Sequence, residues 1–268
     1  MKAVLLAAGK GTRMQDLTAA RPKPMLPVQG RPILEHILLG LRDAGVREAC
    51  LVTGWKEEVI RAHFGGGAAL GLRLEYVRQT TPNGTGSATA LARDFVGRDD
   101  FLLSYGDILV RPETYARVVA RFRERAFDGV ISVTEGEDVT QGGLNFFDQD
   151  FVLARLVEKP SPAQLEALRA EGWLRPGQPA YYNAGIYAFT AELFDFTARL
   201  QKSPRGEYEL TDAINAMVAA GRKIGGLEIT GGRGGVPPGG ISGGGWGKAD
   251  SAGASLRLAP PPDPSRLR

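Results

Sequence analysis

The chain has 268 residues, 43% apolar and 24% charged, enough to bury the core of one large α/β domain or of a domain with a small appendage. The formal net charge is only +3, and basic residues are scattered among acidic ones. Composition therefore excludes a polybasic surface for nucleic acid or for an anionic membrane. The remaining prediction is a protein with small-molecule partners, for which a homo-oligomer is left open.

No stretch reaches the ~20 apolar residues that span a bilayer. The apolar start, residues 1–8, is too short for a signal peptide and runs directly into Gly9. We therefore predict a cytoplasmic location. Cys50 is the only cysteine and lies within an apolar run, so it is interpreted as a buried structural thiol. One cysteine excludes a disulfide within the chain.

Short apolar runs alternate with amphipathic stretches through residue 135, which predicts strands and helices around a mostly parallel sheet covered on both faces. Strands are predicted near residues 2–7, 48–53, 73–78, 100–105 and 129–134. Two apolar stripes at helical spacing are predicted to face the sheet: Ile33, Leu34, Ile37, Leu38 and Leu41, then Tyr115, Val118, Val119 and Phe122.

The pattern changes after residue 143. Two β-rich pieces, 143–157 and 181–189, flank a charged helical stretch at 162–171, which predicts a small β-rich elaboration on the substrate side. An amphipathic helix and a strand near 223–230 follow. Residues 231–268 are rich in Gly, Pro and Ser without periodicity, so this tail is predicted to be disordered.

The first strand leads into a glycine-rich loop, residues 8–13, with the sequence Ala-Gly-Lys-Gly-Thr-Arg. Two glycines after a small residue let backbone N–H groups approach a polyphosphate, and Lys10 and Arg13 add positive charge. A plain tight turn is the alternative. The loop is neither a P-loop nor a dinucleotide fingerprint, because it lacks the Gly-Lys-Ser/Thr ending and the third glycine.

Lys23 lies between Pro22 and Pro24, which restrict the backbone around it. A rigidly held lysine suits a phosphoryl group, although a solvated lysine in a proline-rich turn would look the same by itself. The two elements together resemble the sugar-1-phosphate nucleotidyltransferase family, whose Leu-x-x-Gly-x-Gly-Thr-Arg and Pro-Lys-x-Leu-x-Pro patterns correspond to residues 6–13 and 22–27.

This resemblance covers residues 1 to about 229 and implies a Rossmann-like, doubly wound fold for a nucleotidyltransferase domain at residues 1–230. It also implies transfer of a nucleotide to a hexose 1-phosphate, with Mg²⁺ as cofactor and pyrophosphate as product. Arg13 and Lys23 would clamp the triphosphate as the catalytic residues. The remaining nucleotide contacts of the first loop would come from Leu6, Ala8, Gly9, Gly11 and Thr12.

The segment 79–88 is similar to the base-reading segment of the family, in which Gln79 would pair with the base while Gly84 and Thr85 pack against it. A glutamine amide offers one donor and one acceptor, which suits the imide edge of uracil or thymine. UTP or dTTP is therefore the predicted donor. Guanylyl transfer to mannose 1-phosphate and cytidylyl transfer are the alternatives within the class.

By the same resemblance, Asp107 would bind Mg²⁺ at the carboxyl edge of the sheet, where open α/β sheets place their ligands. Five further matching positions would hold the sugar and its phosphate, with Lys159 neutralising the phosphate. These acceptor-side residues are Gly143, Glu158, Lys159, Asn183 and Gly185.

The match breaks after the last predicted strand. The family has a second metal-binding aspartate in a Trp-x-Asp-x-Gly-Thr motif there, whereas residues 231–235 read Gly-Gly-Arg-Gly-Gly. We hypothesise a frameshift or sequencing error near Thr230, which the coding DNA would reveal as such a motif in another reading frame. The alternative is a catalytically silent, nucleotide-binding or regulatory homologue.

Overall fold

A computed structural model describes residues 1–9, 21–124 and 126–229. In chain order, the strands are β1 (Lys2–Ala7), β2 (Pro27–Val28), β3 (Arg31–Pro32), β4 (Glu48–Thr53), β5 (Arg73–Arg78), β6 (Phe101–Tyr105), β7 (Gly129–Thr134), β8 (Gly143–Phe147), β9 (Leu153–Glu158), β10 (Tyr181–Phe189) and β11 (Ile224–Glu228). The helices are α1 (Ile33–Asp43), α2 (Glu57–Phe64), α3 (Thr85–Ala90), α4 (Arg93–Val96), α5 (Glu113–Arg123), α6 (Pro162–Ala170), α7 (Leu193–Thr197) and α8 (Leu210–Ala219).

Most of the strands form one sheet, whose main path runs β11-β7-β10-β6-β1-β4-β5. β1 pairs in parallel with β4 and β6, β5 extends β4 in parallel, and β11 pairs in parallel with β7. β8 and β9 form an antiparallel extension that joins the first residues of β10. The mostly parallel, doubly wound fold with a small β-rich elaboration is confirmed.

The role of residues 181–189 differs from the prediction. We assigned this segment to the elaboration, but only Tyr181 and Tyr182 pair with β8. The rest of β10 lies inside the main sheet, antiparallel to both β6 and β7. Residues 182–189 are buried at every position, as a strand covered on both faces requires.

Helices cover both faces of this sheet, each over its own hydrophobic core. One core contains the apolar stripes of α1 and α5 together with α2, and the other contains α3, α4, α7 and α8. The predicted stripes of α1 and α5 are buried as expected. A third, smaller cluster of Leu144, Phe146 and Leu168 packs α6 against β8.

Local sequence explains where several elements begin. Ser161 and Gln164 form a capping box at the start of α6, with Pro162 in the first turn, as the Ser-Pro-x-Gln order dictates. Gln29 and Gly30 both have positive φ, 51° and 81°, in the two-residue turn that joins β2 to β3. This hairpin directs the chain from Lys23 back into α1.

Two further expectations concern the core and the tail. Cys50 is buried, and burial with the nearby Glu75 carboxylate raises the pKa of its thiol to about 12, so it is a structural residue. None of the helices within the described ranges is long and apolar enough to cross a membrane. The tail predicted to be disordered, residues 231–268, lies outside the described residues.

Candidate active site

A cavity of about 320 Å³ opens where β1, β5 and β6 end. The carboxyl ends of parallel strands meet at this edge of the sheet, which is where open α/β sheets bind ligands. Eight of the residues predicted to contact substrate or metal line this cavity: Leu6, Ala8, Gly9, Lys23, Gln79, Gly84, Thr85 and Asp107.

The loops after β1 and β6 pack closely beneath the cavity. The N–H of Gly106 donates to the carbonyl oxygen of Leu6 at 2.9 Å. A Cβ on residue 106 would lie 3.0 Å from the Cβ of Ala7, so glycine is what lets the two loops approach and brings Asp107 to the cavity. The other predicted residues of the first loop, Gly11, Thr12 and Arg13, lie in the segment 10–20, outside the described residues.

Lys23 is held against Asp107. It opens a short 3₁₀ turn, Lys23–Met25, whose next residues Pro24 and Met25 are buried and anchor the backbone. Its ammonium nitrogen lies 2.8 Å from the Oδ2 atom of Asp107. The two side chains are 26% and 35% exposed, so both remain accessible to a ligand in the cavity.

The Asp107 carboxylate fits Mg²⁺ as a hard oxygen ligand, and Mg²⁺ is commonly held by one or two carboxylates together with substrate phosphates. Within the described ranges, no group of three or more His, Cys, Asp or Glu side chains converges to hold a metal by itself. The arrangement therefore suits an ion that arrives together with a phosphate ligand and binds Asp107 beside the ammonium group of Lys23.

The segment 79–88, which is predicted to read the base, wraps one side of the cavity. The Nε2 atom of Gln79 donates to the carbonyl oxygen of Gly84 and to Ser87 Oγ, both at 3.1 Å. Gly84 has φ +118°, and a side chain there would collide with the backbone of Tyr208. Only glycine allows this close approach, and the segment is therefore fixed against the start of α8.

Three of the predicted acceptor-side residues meet beside the cavity. A Cβ on Gly143 would lie 3.1 Å from the Cβ of Asn183 and 3.4 Å from Oε2 of Glu158. The Asn183 side chain is tied into the fold, since Oδ1 accepts from the N–H of Gly185 at 3.0 Å and Nδ2 donates to the Tyr187 hydroxyl at 2.7 Å. Glu158 thus presents the more open polar group of the three.

A chain of hydroxyl groups joins the two sides. The Tyr187 and Tyr105 hydroxyls are 3.3 Å apart, and Tyr105 also hydrogen-bonds Thr85 and lines the cavity. Burial raises the pKa of both tyrosines, so their hydroxyls stay protonated. Gly185 lies against Tyr105, where a Cβ would be 2.7 Å from the ring. The predicted acceptor-side residues are therefore continuous with the cavity.

Lys159 is held in an unusual backbone conformation. Its φ is +43°, a left-handed value that costs a non-glycine residue about 1–2 kcal/mol. The N–H of Lys159 donates to the carbonyl oxygen of Gly142 at 2.9 Å, which helps to hold this turn. Such strain persists where the surroundings fix it and is frequent at functional sites.

Sequence reasoning missed Arg205 and Glu207. Arg205 lies 3.8 Å from Glu158 and 2.6 Å from the buried Glu209, and Glu207 lines the cavity. Burial raises the pKa of Glu158, with Lys159 and Arg205 lowering it by less. The signal available in the sequence was the unexplained charged run Arg-Gly-Glu-Tyr-Glu at 205–209, directly before the last helix.

The fold and the cavity define a class of protein: an open, mostly parallel α/β sheet with a ligand-sized cavity at the carboxyl edge of its strands. Residues 2–231 match the family described as nucleotidyl transferase, and the chain belongs to that family. The resemblance stated from the sequence is thereby confirmed.

Particular relatives refine this. The chain is 33% identical to the low-salt glycan biosynthesis nucleotidyltransferase of Haloferax volcanii, over 84% of this chain and 59% of that protein. It is 32% identical to the UTP–glucose-1-phosphate uridylyltransferase of the same organism, over 87% of this chain and 90% of that protein. The chain thus spans little more than half of the first relative and nearly all of the second.

Solved structures show the same fold. A UDP-glucose pyrophosphorylase complexed with UDP-glucose matches with a TM-score of 0.73, at 22% identity, over 87% of this chain and 91% of that one. At this identity the likeness shows the fold alone.

Proposed function

We propose that this chain transfers a uridylyl or thymidylyl group from UTP or dTTP to a hexose 1-phosphate, with release of pyrophosphate. The observation that carries the proposal is the convergence of Gln79, Lys23 and Asp107 on one cavity at the carboxyl edge of the sheet. The uridylyltransferase relative, of which this chain covers 90%, supports UTP as donor and glucose 1-phosphate as acceptor.

The bonding of Gln79 supports the choice of base. Its Nε2 atom is already committed to Gly84, Ser87 and Asn83, which leaves Oε1 as the group for a ligand. A carbonyl oxygen accepts from the N3–H of uracil or thymine, whereas the corresponding ring nitrogens of cytosine and adenine are acceptors themselves. CTP and ATP would leave two acceptors facing one another, so the proposal ranks them below UTP and dTTP.

In the proposed reaction an oxygen of the sugar phosphate attacks the α-phosphorus in line, and pyrophosphate leaves. The chain supplies positioning and charge rather than a nucleophile, as in other phosphoryl-type transfers. Lys23, and Arg13 from the first loop, would neutralise the triphosphate, while Lys159 and Arg205 would hold the acceptor phosphate beside Glu158. Mg²⁺ on Asp107 would supply further charge neutralisation at the phosphates.

Pyrophosphate release tests the proposal directly. The purified chain with Mg²⁺ is incubated with each of four nucleoside triphosphates and with glucose, N-acetylglucosamine, galactose or mannose 1-phosphate. Release with UTP or dTTP, and much less with CTP, is the expected result. Faster release with GTP and mannose 1-phosphate would overturn the base assignment in favour of guanylyl transfer.

The silent homologue is the second candidate, and one sequence feature favours it. No aspartate follows β11 within residues 231–238, where the family carries its second metal ligand. A silent protein would bind UTP, measured by calorimetry, yet release no pyrophosphate above the rate of the Asp107→Asn variant. That variant is the matched control, because it keeps the side-chain size and removes the charge.

A further inference from the structure

We infer that Asn215 is a positioning residue that fixes the acceptor-side strand β9 to helix α8, and that α8 thereby sets the spacing between the two substrate sites. The inference rests on the proposed function, since it assigns β9 to the acceptor sugar phosphate. It concerns a residue that contacts neither site and that the sequence motifs did not single out.

Asn215 forms hydrogen bonds to β9 through both ends of its side-chain amide. Its Oδ1 atom accepts from the N–H of Leu156 at 3.0 Å, and its Nδ2 atom donates to the carbonyl oxygen of Leu156 at 2.7 Å. Both halves of the amide are matched to one backbone residue, so the reversed amide orientation would set donor against donor and acceptor against acceptor. The side chain replaces the pair of hydrogen bonds that a neighbouring strand would give.

The second step is the position of β9 in the sheet. Among the described strands, β9 pairs in a ladder with β8 alone, so its other edge is open at Leu156. Asn215 closes that edge. Glu158 and Lys159 follow Leu156 by two and three residues, and β9 ends at Glu158. The clamp at Leu156 therefore fixes the backbone from which both acceptor-side side chains extend.

The third step is the other end of α8. The N–H of Leu210, its first residue, donates to the Oγ1 atom of Thr85 at 3.1 Å. Just before the helix, the carbonyl oxygen of Tyr208 accepts from the N–H of Gly86 at 2.8 Å. The helix is thus tied to the base-reading segment at its start and to β9 at Asn215, about 7 to 8 Å further along its axis.

These ties make α8 a rigid link between donor and acceptor sites. Without the Asn215 clamp, the end of β9 would keep its pairing with β8 but lose its fixed distance from the nucleotide. The expected effect is therefore on acceptor binding and on alignment, with nucleotide binding unchanged.

The test compares Asn215→Leu with the wild-type chain and with Val118→Ala, a control that disturbs the core on the opposite face of the sheet. Amide hydrogen exchange across residues 154–159 is measured together with the affinities for UTP, for UDP and for UDP-glucose. We expect faster exchange in Asn215→Leu, and UTP to bind as before. UDP-glucose should bind about tenfold more weakly, on the scale of the two hydrogen bonds that are lost. Val118→Ala should change the exchange of residues 154–159 only as far as it lowers the stability of the whole chain. Its affinity for UDP-glucose should stay that of the wild-type chain.

The outcomes separate the two proposals. Unchanged exchange and unchanged UDP-glucose affinity in Asn215→Leu overturn the clamp and leave the proposed function standing. If the wild-type chain binds UDP-glucose no more tightly than UDP, the sugar contributes nothing to binding, and that result overturns the acceptor site and this inference with it. If Asn215→Leu does not fold, Asn215→Asp replaces it, because the carboxylate keeps the acceptor for Leu156 N–H and loses the donor.

Discussion

At the scale of single residues, the ion pair of Lys23 and Asp107 is placed for chemistry more than for stability. Both side chains are partly exposed, and pairs of this kind contribute about 0–1 kcal/mol to folding. Their charges nevertheless lie 2.8 Å apart inside the cavity, where a triphosphate would separate them. Loss of either charge should therefore affect turnover far more than unfolding.

Asp107→Asn is the corresponding prediction. We expect pyrophosphate release to fall by at least about 100-fold, because a metal ion that bridges to the phosphates would lose its anionic protein ligand. The melting temperature should change by no more than about 2 °C. Asp99→Asn is the matched control. Asp99 forms a similar ion pair, with 3.0 Å between its Oδ2 atom and the Nζ atom of Lys2, and neither residue lines the cavity. Equal loss of activity in both variants would contradict the assignment.

Glu158 gives a prediction about pH. Burial raises its pKa above the ordinary value of 4.5, so the folded chain holds this proton more tightly than the unfolded chain. The stability gained from this proton is fully present below pH 4.5, the ordinary pKa of the carboxyl group, and is lost as pH rises through the folded-state pKa. Glu158→Gln should therefore raise the melting temperature at about pH 8, with the gain shrinking towards about pH 5.

Calorimetry at a series of pH values between about pH 5 and pH 8 tests this. Glu166→Gln, which removes an exposed carboxylate on α6, should show no such gain. Activity of Glu158→Gln should fall while stability rises, since the same carboxylate is proposed to contact the acceptor sugar phosphate. A gain that grows on acidification would have the wrong sign.

The sequence could predict those candidate site residues whose signal lies in their immediate sequence neighbours. Lys23 between two prolines and Asp107 after an apolar strand are local signals, and the topology brings them to one cavity. The pairing of Arg205 with Glu158 has no local signal, because it depends on the loop before α8 folding back over β9. This pairing can be recognised only in the folded structure.

At the scale of elements, the close approach of Gly84 to Tyr208 fixes the segment 79–88, which is predicted to read the base. Gly84→Ala would combine a left-handed φ of +118° with a collision against the Tyr208 backbone. We expect the free energy of unfolding to fall by about 2–4 kcal/mol. UTP binding should be lost as well. Gly97→Ala is the control, because φ is +64° there but a Cβ meets open space, so it should cost only about 1 kcal/mol.

Denaturant unfolding and UTP calorimetry of the two variants separate strain from collision. If Gly97→Ala proves as costly as Gly84→Ala, the close approach to Tyr208 adds nothing. UTP binding retained by a folded Gly84→Ala chain would instead remove this segment from the nucleotide site.

Element type was predictable wherever burial and period agreed. The stripes of α1 and α5 follow helical spacing, and β1 and β4 are short apolar runs, so local pattern was sufficient. β10 was placed wrongly because its period shows only that both faces are buried, and not which strands are its neighbours. An antiparallel strand within a parallel sheet is a property of topology that local patterns do not carry.

At the scale of the whole molecule, the regular structure described ends with β11 and Ile229. β11 pairs with β7 along its full length, and the N–H of Ile229 donates to the carbonyl oxygen of Val133 at 2.9 Å. A chain truncated after Thr230 should therefore keep its melting temperature within about 2 °C and bind UTP as the full chain does. Loss of UTP binding on truncation would show that residues 231–268 belong to the site.

The position of β10 also dictates an order of assembly. β7 is synthesised before β10, yet in the finished sheet β10 lies between β7 and β6. The strands β1, β4, β5 and β6 can pair with one another as soon as they leave the ribosome, whereas β7 must wait for residues 181–189 and then for β11. The part of the sheet built from β1, β4, β5 and β6 can thus form while β10 is still being translated, and in that interval the edges of β6 and β7 that β10 later covers are unpaired.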